Sequence, residues 1–241
     1  ADTGNSQPTT YLAAAKDVYQ EGTLIFPCVQ VQRDYDNIDD IIRMCRRRIR
    51  VPDQWYGDYL AAMGAARIGE RRLKSFVEKY GAQAVREFIT AWLDYSERRA
   101  SGAIQALPGG SILAKGVHDP IEPFLPDGVH IQVGIEIDSD AGRIKVDLRD
   151  NPDSVDAGLN LTEATATMSA AQAVFCCLDA DIPHNSGSLR RIEVLLRENC
   201  VVGIPRFPHS CSVATTNMTD TIINAILAGF AELGDGYGFS Q

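Results

Sequence analysis

The sequence has no uninterrupted apolar run near the roughly 20 residues that cross a bilayer. Its opening Ala1-Asp-Thr-Gly-Asn has neither the basic nor the apolar region of a secretion signal. Export and membrane insertion are therefore not expected, and the expected compartment is the cytoplasm. Excess positive charge is missing too. Lys and Arg number 23 against 32 for Asp and Glu, a net charge of -9, which argues against nucleic acid or an anionic membrane surface as principal partner. The six cysteines, at 28, 45, 176, 177, 200 and 211, lack the paired short spacings of a zinc site, so reduced structural thiols are expected. No Gly-x-x-x-x-Gly-Lys-Ser/Thr run occurs, and no internal repeat or low-complexity tract interrupts the chain.

What is present is material for globular structure: 241 residues, 45% hydrophobic and 23% charged. Ile38, Ile41, Ile42, Cys45 and Ile49 recur at helical spacing, so a helix is expected over 38–49, with Asp36 or Asn37 as its cap. Pro52 suits the first turn of a second helix that runs toward Tyr80, where Gly81 supplies a stop, and a third helix is expected over 83–106. The period then changes to two. Val129, Ile131, Val133, Ile135 and Ile137 alternate with polar residues, Ser139-Asp-Ala-Gly142 turns the chain, and Ile144, Val146 and Leu148 alternate in return, which predicts an antiparallel hairpin. A helix apolar on nearly all sides is expected over 162–178 and should be buried. A strand over 192–196 and a helix over 217–233 complete the reading. The fold class is therefore mixed α/β (α+β): a mainly helical region 1–107, then a sheet-containing region 108–241 with the hairpin, a mixed sheet and packed helices.

One stretch joins the buried helix to the strand after it: Asp179-Ala-Asp-Ile-Pro-His-Asn-Ser-Gly-Ser-Leu-Arg-Arg-Ile-Glu193. Pro183 fixes its own φ and Gly187 allows backbone angles that other residues resist, so a rigid turn is expected, holding Asp181, His184 and Asn185 in fixed directions. The commoner role of Asp181 and Asn185 in such a turn is to bond their own backbone.

This stretch resembles the Asp-Ile-Pro-x-Asn-x-Gly-x-x-Arg-x-Ile segment of the hydantoinase B family. That family includes the B subunits of ATP-dependent hydantoinases, the matching half of 5-oxoprolinases, and the large subunits of acetone and acetophenone carboxylases. The likeness continues in order along the chain. Tyr19-Gln-Glu-Gly22 with Pro27, Gly69-Glu-Arg-Arg-Leu73, Tyr95 with Glu97-Arg-Arg99, Ala106-Leu-Pro-Gly109, Asp147-Leu-Arg-Asp-Asn-Pro152 and Leu159-Asn160 are all similar to family passages. The tail Phe230-Ala-Glu-Leu-Gly-Asp-Gly-Tyr-Gly-Phe239 is most similar to the carboxylase branch. Family members are over twice this length, and both ends of the sequence read as cut.

The resemblance implies a partner subunit that binds ATP and makes a phosphorylated intermediate, which the B-type subunit converts by carbon–carbon bond formation or amide hydrolysis. Such an intermediate is lost to water, so a buried site fed by the partner is implied. The resulting expectation is part of an ATP-dependent ketone carboxylase in a hetero-oligomer. The alternatives are a hydantoinase or 5-oxoprolinase acting on a cyclic amide, and a non-catalytic assembly module. Asp2-Thr-Gly resembles the residues after the His of a His-x-x-Asp motif, which makes Asp2 a candidate ligand for a divalent metal whose His partner is absent from this sequence.

Asn185 and Asn217 are candidate hydrogen-bond donors to a developing oxyanion, although Asn217 stands where a helix cap is the commoner role. Asp181 is a pocket candidate through the turn, and His209 an acid or base candidate. The basic run Arg43, Arg46, Arg47, Arg48 and Arg50 suits either a phosphorylated intermediate or an acidic partner surface, and most often such a run is a solvated helix face.

Overall fold

The computed structural model describes residues 14–22, 26–123, 125–234 and 236–238. The chain forms two compact units, one holding residues 18–87 and the other 11–17 with 88–241.

The first unit opens with the short helix α1 (Val18–Glu21) and a small hairpin of β1 (Gln32–Arg33) and β2 (Asp36–Asn37). Asp34 and Tyr35 turn this hairpin with positive φ, 51° and 70°. The expected cap role of Asp36 and Asn37 is thereby corrected. Both residues belong to β2, and α2 (Asp39–Arg48) starts after Ile38 without a side-chain cap. The Asn37 side chain is bonded instead by Tyr59 Oη (2.7 Å) and Gln32 Nε2 (2.8 Å). Asp39 and Asp40 begin α2 and Arg46 to Arg48 end it, charges that complement the helix dipole at both ends. Only Ile42 and Cys45 are buried on this helix. α3 (Pro52–Tyr80) starts at its proline and stops where Gly81, at φ 84°, donates its N–H to the Val77 carbonyl. None of its 29 residues is buried.

α4 (Ala82–Gln105) runs from the first unit into the second. The second unit is built on a four-stranded sheet, order β3-β4-β5-β6, from β3 (Gly110–His118), β4 (Val129–Asp138), β5 (Arg143–Asp147) and β6 (Ile192–Leu195). The first three strands are antiparallel and β6 lies parallel to β5, with Ile144 opposite Ile192. A parallel neighbour needs a crossover, supplied here by α5 (Glu163–Cys176) and the turn helix α6 (Ser186–Leu189). The alternating residues of β4 and β5 point into the core, where α5 and α7 (Met218–Ala231) cover them. The face of α5 is largely alanine (166, 170, 171, 173), and this lets α7 approach closely with Met218, Ile222, Ile226 and Phe230, all fully buried. Gly142, at φ 61°, closes the β4–β5 turn.

The edge strand β3 was not expected from the sequence. Only Ala114 is buried on it, and Ile112-Leu-Ala114 breaks any period-two pattern. None of the six cysteines forms a disulfide; burial pushes the thiol of Cys177 up to about 12.

Candidate functional site

The turn after α5 is built by capping and by its seat on α4. Asn185 is the N-cap of α6. Its Oδ1 accepts from Gly187 N at 2.8 Å, and its backbone N donates to Ser188 Oγ at 3.1 Å, completing a capping box. The Asn185 Nδ2 donates to Ser96 Oγ of α4 at 2.8 Å, and Ser96, fully buried, donates in turn to the Trp92 carbonyl. Both polar atoms of the Asn185 side chain are thus committed to structure.

Gly187 has a different purpose from the one its sequence suggested. It lies in α6 and its φ is not positive, but a Cβ there would stand 2.0 Å from the Leu93 carbonyl oxygen. Two backbones touch at this point and only glycine fits. Arg190 extends the seam to Asp94 (3.0 Å) and Glu97 (2.9 Å), and Arg191 reaches Glu97 at 2.6 Å. The hydrogen bond from Arg190 leads the causes that hold the Glu97 carboxyl below its usual range.

The acid that shapes the turn is Asp179 rather than Asp181. Asp179 accepts from Asp181 N (2.9 Å) and pairs with Arg99 (2.9 Å), which lower its pKa in that order of importance, while the Asp181 side chain is exposed. His184 stacks on Phe175, with ring centroids 4.4 Å apart.

His209 lies in a separate cluster of loops. Asn160, fully buried, accepts from Val155 N and donates to the Val155, Ala157 and Ser210 carbonyls. This fixes the chain beside His209, which pairs with Asp17 across an isolated bridge. Its Nδ1 meets the Arg206 carbonyl at 2.7 Å, and its Nε2 is 3.9 Å from Asp156 Oδ1. Arg197 ties the same loops together by donating to the Arg149, Glu198 and Asn199 carbonyls and pairing with Asp153.

Asn217 occupies the N-cap position of α7 but makes no side-chain cap bond, so the expected cap is not formed. It reaches β3 instead, with Nδ2 3.1 Å from His118 Nε2, while Thr216 Oγ1 donates to its Oδ1 at 3.0 Å. With Nδ1 turned to the Asp119 carbonyl at 2.8 Å, His118 suits the tautomer that accepts from Asn217.

Among the described residues, Asp181, Asn185, His209 and Asn217 make no hydrogen bonds to one another. Sequence reasoning singled out neither His118, which has no motif around it, nor Ser96, which is the unspecified position between Tyr95 and Glu97-Arg-Arg99. Asp2 lies outside the described residues. The described residues contain no group of three His, Cys, Asp or Glu side chains able to hold a metal. They do not by themselves fit a divalent ion. No helix among them is long and apolar enough to cross a membrane.

This fold is shared with two solved enzymes. An ATP-dependent caprolactamase from Pseudomonas jessenii superposes with TM-score 0.84 at 22% identity, over 98% of this chain and 40% of the other. A nucleotide-free acetone carboxylase gives TM-score 0.83 at 16% identity, over 98% and 32%. The sequence goes further than the fold: the chain belongs to the hydantoinase B/oxoprolinase family, whose profile matches residues 1–236. The B-type subunit of a putative D-/L-hydantoinase from Pseudomonas sp. (strain NS671) is 26% identical over 96% of this chain and 40% of its own length. The chain spans about two fifths of the length of the first curated relatives it matches.

Proposed function

We propose that the chain is part of the B-type subunit of an ATP-dependent enzyme that opens a cyclic amide. The observation that carries this reading is the collinear match to a hydantoinase subunit over 96% of the chain. The caprolactamase fold agrees with it. ATP is bound by a partner subunit and activates the amide oxygen as a phosphate ester. Water then adds to the activated carbon, the carbon–nitrogen bond opens as nitrogen takes a proton, and a second water displaces phosphate from the acyl phosphate that remains, leaving the carboxylate. Asp181, Asn185, His209 and Asn217 remain the proposed pocket set, and Asp2 the proposed metal ligand. Within that set and its contacts, the groups suited to handle a proton are His209, near Asp156, and His118, held by Asn217. Asn185 holds the α6 turn on α4.

Ketone carboxylation is the second reading, favoured by the glycine-rich tail and the acetone carboxylase fold. The deciding assay uses the full-length subunit purified with its ATP-binding partner. ADP release that needs hydantoin, 5-oxoproline or caprolactam, without bicarbonate, is expected. Release that needs acetone and bicarbonate together would install the second reading. ATP-dependent turnover by the 241-residue chain alone would overturn the placement of ATP on a partner.

A further inference from the structure

We propose that α3 is the docking site for an apolar, acid-flanked helix of a partner subunit. Ala62, Ala66, Gly69, Leu73, Phe76 and Tyr80 follow one another along α3 at steps of 4, 3, 4, 3 and 4 residues. That alternation averages the roughly 3.5-residue repeat of a coiled-coil seam and keeps all six on one face. All six are exposed, with Leu73 at 57%, Phe76 at 43% and Tyr80 at 51%. A helix face meant for water carries polar groups there. The seam also has a gradient of size, from small residues at 62, 66 and 69 to large ones at 73, 76 and 80. The small end admits a partner backbone at short range. Gly69 has nothing within 4 Å of the place its Cβ would occupy, so no neighbour among the described residues requires a glycine there.

Charge specifies the occupant. Arg72 and Lys79 immediately precede Leu73 and Tyr80 and line one flank of the seam. Arg72 has no hydrogen bond or ion pair among the described residues, and Lys79 lies over the Tyr80 ring at 4.8 Å. The other flank, Met63, Glu70 and Val77, offers one acid, and Glu70 is already bonded by Tyr35 and Lys74. A second copy of α3 is a poor fit on these grounds. Antiparallel pairing sets the two Arg72–Lys79 rows against each other, and parallel pairing places Arg72 beside Val77 with no acid in reach. A helix with an apolar seam and Glu or Asp on its flank satisfies both cations while covering the apolar face.

The test titrates the 241-residue chain with two synthetic heptad peptides that share a Leu/Ala seam, one flanked by Glu and one by Lys, followed by fluorescence anisotropy. The Glu peptide should bind at least about tenfold more tightly, and its binding should weaken with salt. Phe76→Glu should abolish binding with the circular dichroism spectrum unchanged, and Arg72→Glu with Lys79→Glu should reverse the preference. Equal binding of the two peptides, or binding of neither, overturns the proposal. So does a dimer in light scattering that Phe76→Glu dissociates, which gives the seam to a second copy. Protection of the seam from hydroxyl-radical labelling in the full-length subunit alone gives it to the rest of the same polypeptide, and also overturns the proposal. Each of these outcomes leaves the cyclic-amide reading untouched.

Discussion

Phe230 on α7 and Phe76 on α3 are the same residue type on two helices, yet the first is fully buried and the second 43% exposed. In the C-terminal unit the apolar faces of α5, α7 and the sheet meet one another, so hydrophobic burial and helix position reinforce each other. In the N-terminal unit the longest helix is held by polar contacts along one side, where its Tyr59, Arg67 and Glu70 bond Asn37 and Tyr35, and its apolar seam stays uncovered among the described residues. The C-terminal unit is therefore stabilised from within. The N-terminal unit forms its helices but leaves one face of the longest open.

The largest expected effect tests that contrast directly. Phe230→Ala should destabilise the chain by about 3–5 kcal/mol in urea unfolding, through lost burial and the cavity left behind. Phe76→Ala should stay within about 0.5 kcal/mol, as surface changes do. Similar costs for the two would break the comparison, since they would mean that α3 is packed in solution.

A smaller effect is expected where the organising turn meets α4. In Gly187→Ala the new methyl has only the Leu93 backbone to displace, so α6 must shift, at about 1–3 kcal/mol as in other overpacked sites. The same change at Gly69, where space is open, should be neutral or stabilising in thermal unfolding. A harmless Gly187→Ala would show that the two backbones are less tightly seated than their geometry implies.

These sites also show what the sequence could reveal. The helices α2, α3, α4, α5 and α7 and the β4–β5 hairpin were legible because one face of each, or for α5 nearly every face, repeats with the period of its own backbone. β3 was not, because its outward positions carry Leu113 and Val117 and an inward one carries Gly116, so the alternation of its exposure has no matching alternation of residue type. Gly187 was recognised as special but for the wrong reason, since a close approach depends on Leu93, 94 residues earlier, and no local pattern carries that information. The same holds for Asn217, which forgoes its cap for His118, and for Asn185, whose Ser96 partner lies 89 residues away. Polar pairs distant in sequence, on which any site depends, leave no period. The family resemblance supplied the family, which the match over residues 1–236 bears out, and not these pairs.

Asn185 sharpens the contrast at an intermediate scale. Asn185→Ala removes both the α6 cap and the bond to Ser96, and should cost about 1–2 kcal/mol in urea unfolding. Asn185→Asp keeps an oxygen for Gly187 but loses the donor to Ser96, so it should cost less. A double-mutant cycle with Ser96→Ala then isolates the Ser96 bond. Because both side-chain atoms are already engaged, turnover per folded enzyme should be nearly unchanged in the complete complex. A loss on the order of 100-fold would instead mark Asn185 as a donor to developing charge.

The smallest expected effect concerns Asp179, and its sign follows from the direction of its pKa. The Asp181 backbone N–H, and after it Arg99, hold this carboxyl below its usual value of 3.8, so the folded state favours the ionised form. A carboxyl depressed on folding contributes stability that is fully present above its unfolded pKa and is lost as pH falls through the folded value. Asp179→Asn retains an oxygen to accept from Asp181 and removes the charge opposite Arg99. The wild-type advantage over this variant should therefore be constant near neutral pH and shrink as the pH drops below the usual carboxylate range. Both partners are at least a third exposed, at 36% and 50%, so the advantage should be small and should fall further with added salt. Glu97 and Asp147 shift in the same direction and add to the acid slope of both proteins, and the difference between the two melting curves removes their share. An advantage that grew on acidification would mean that Asp179 is protonated in the folded chain and that the turn is held by its backbone alone.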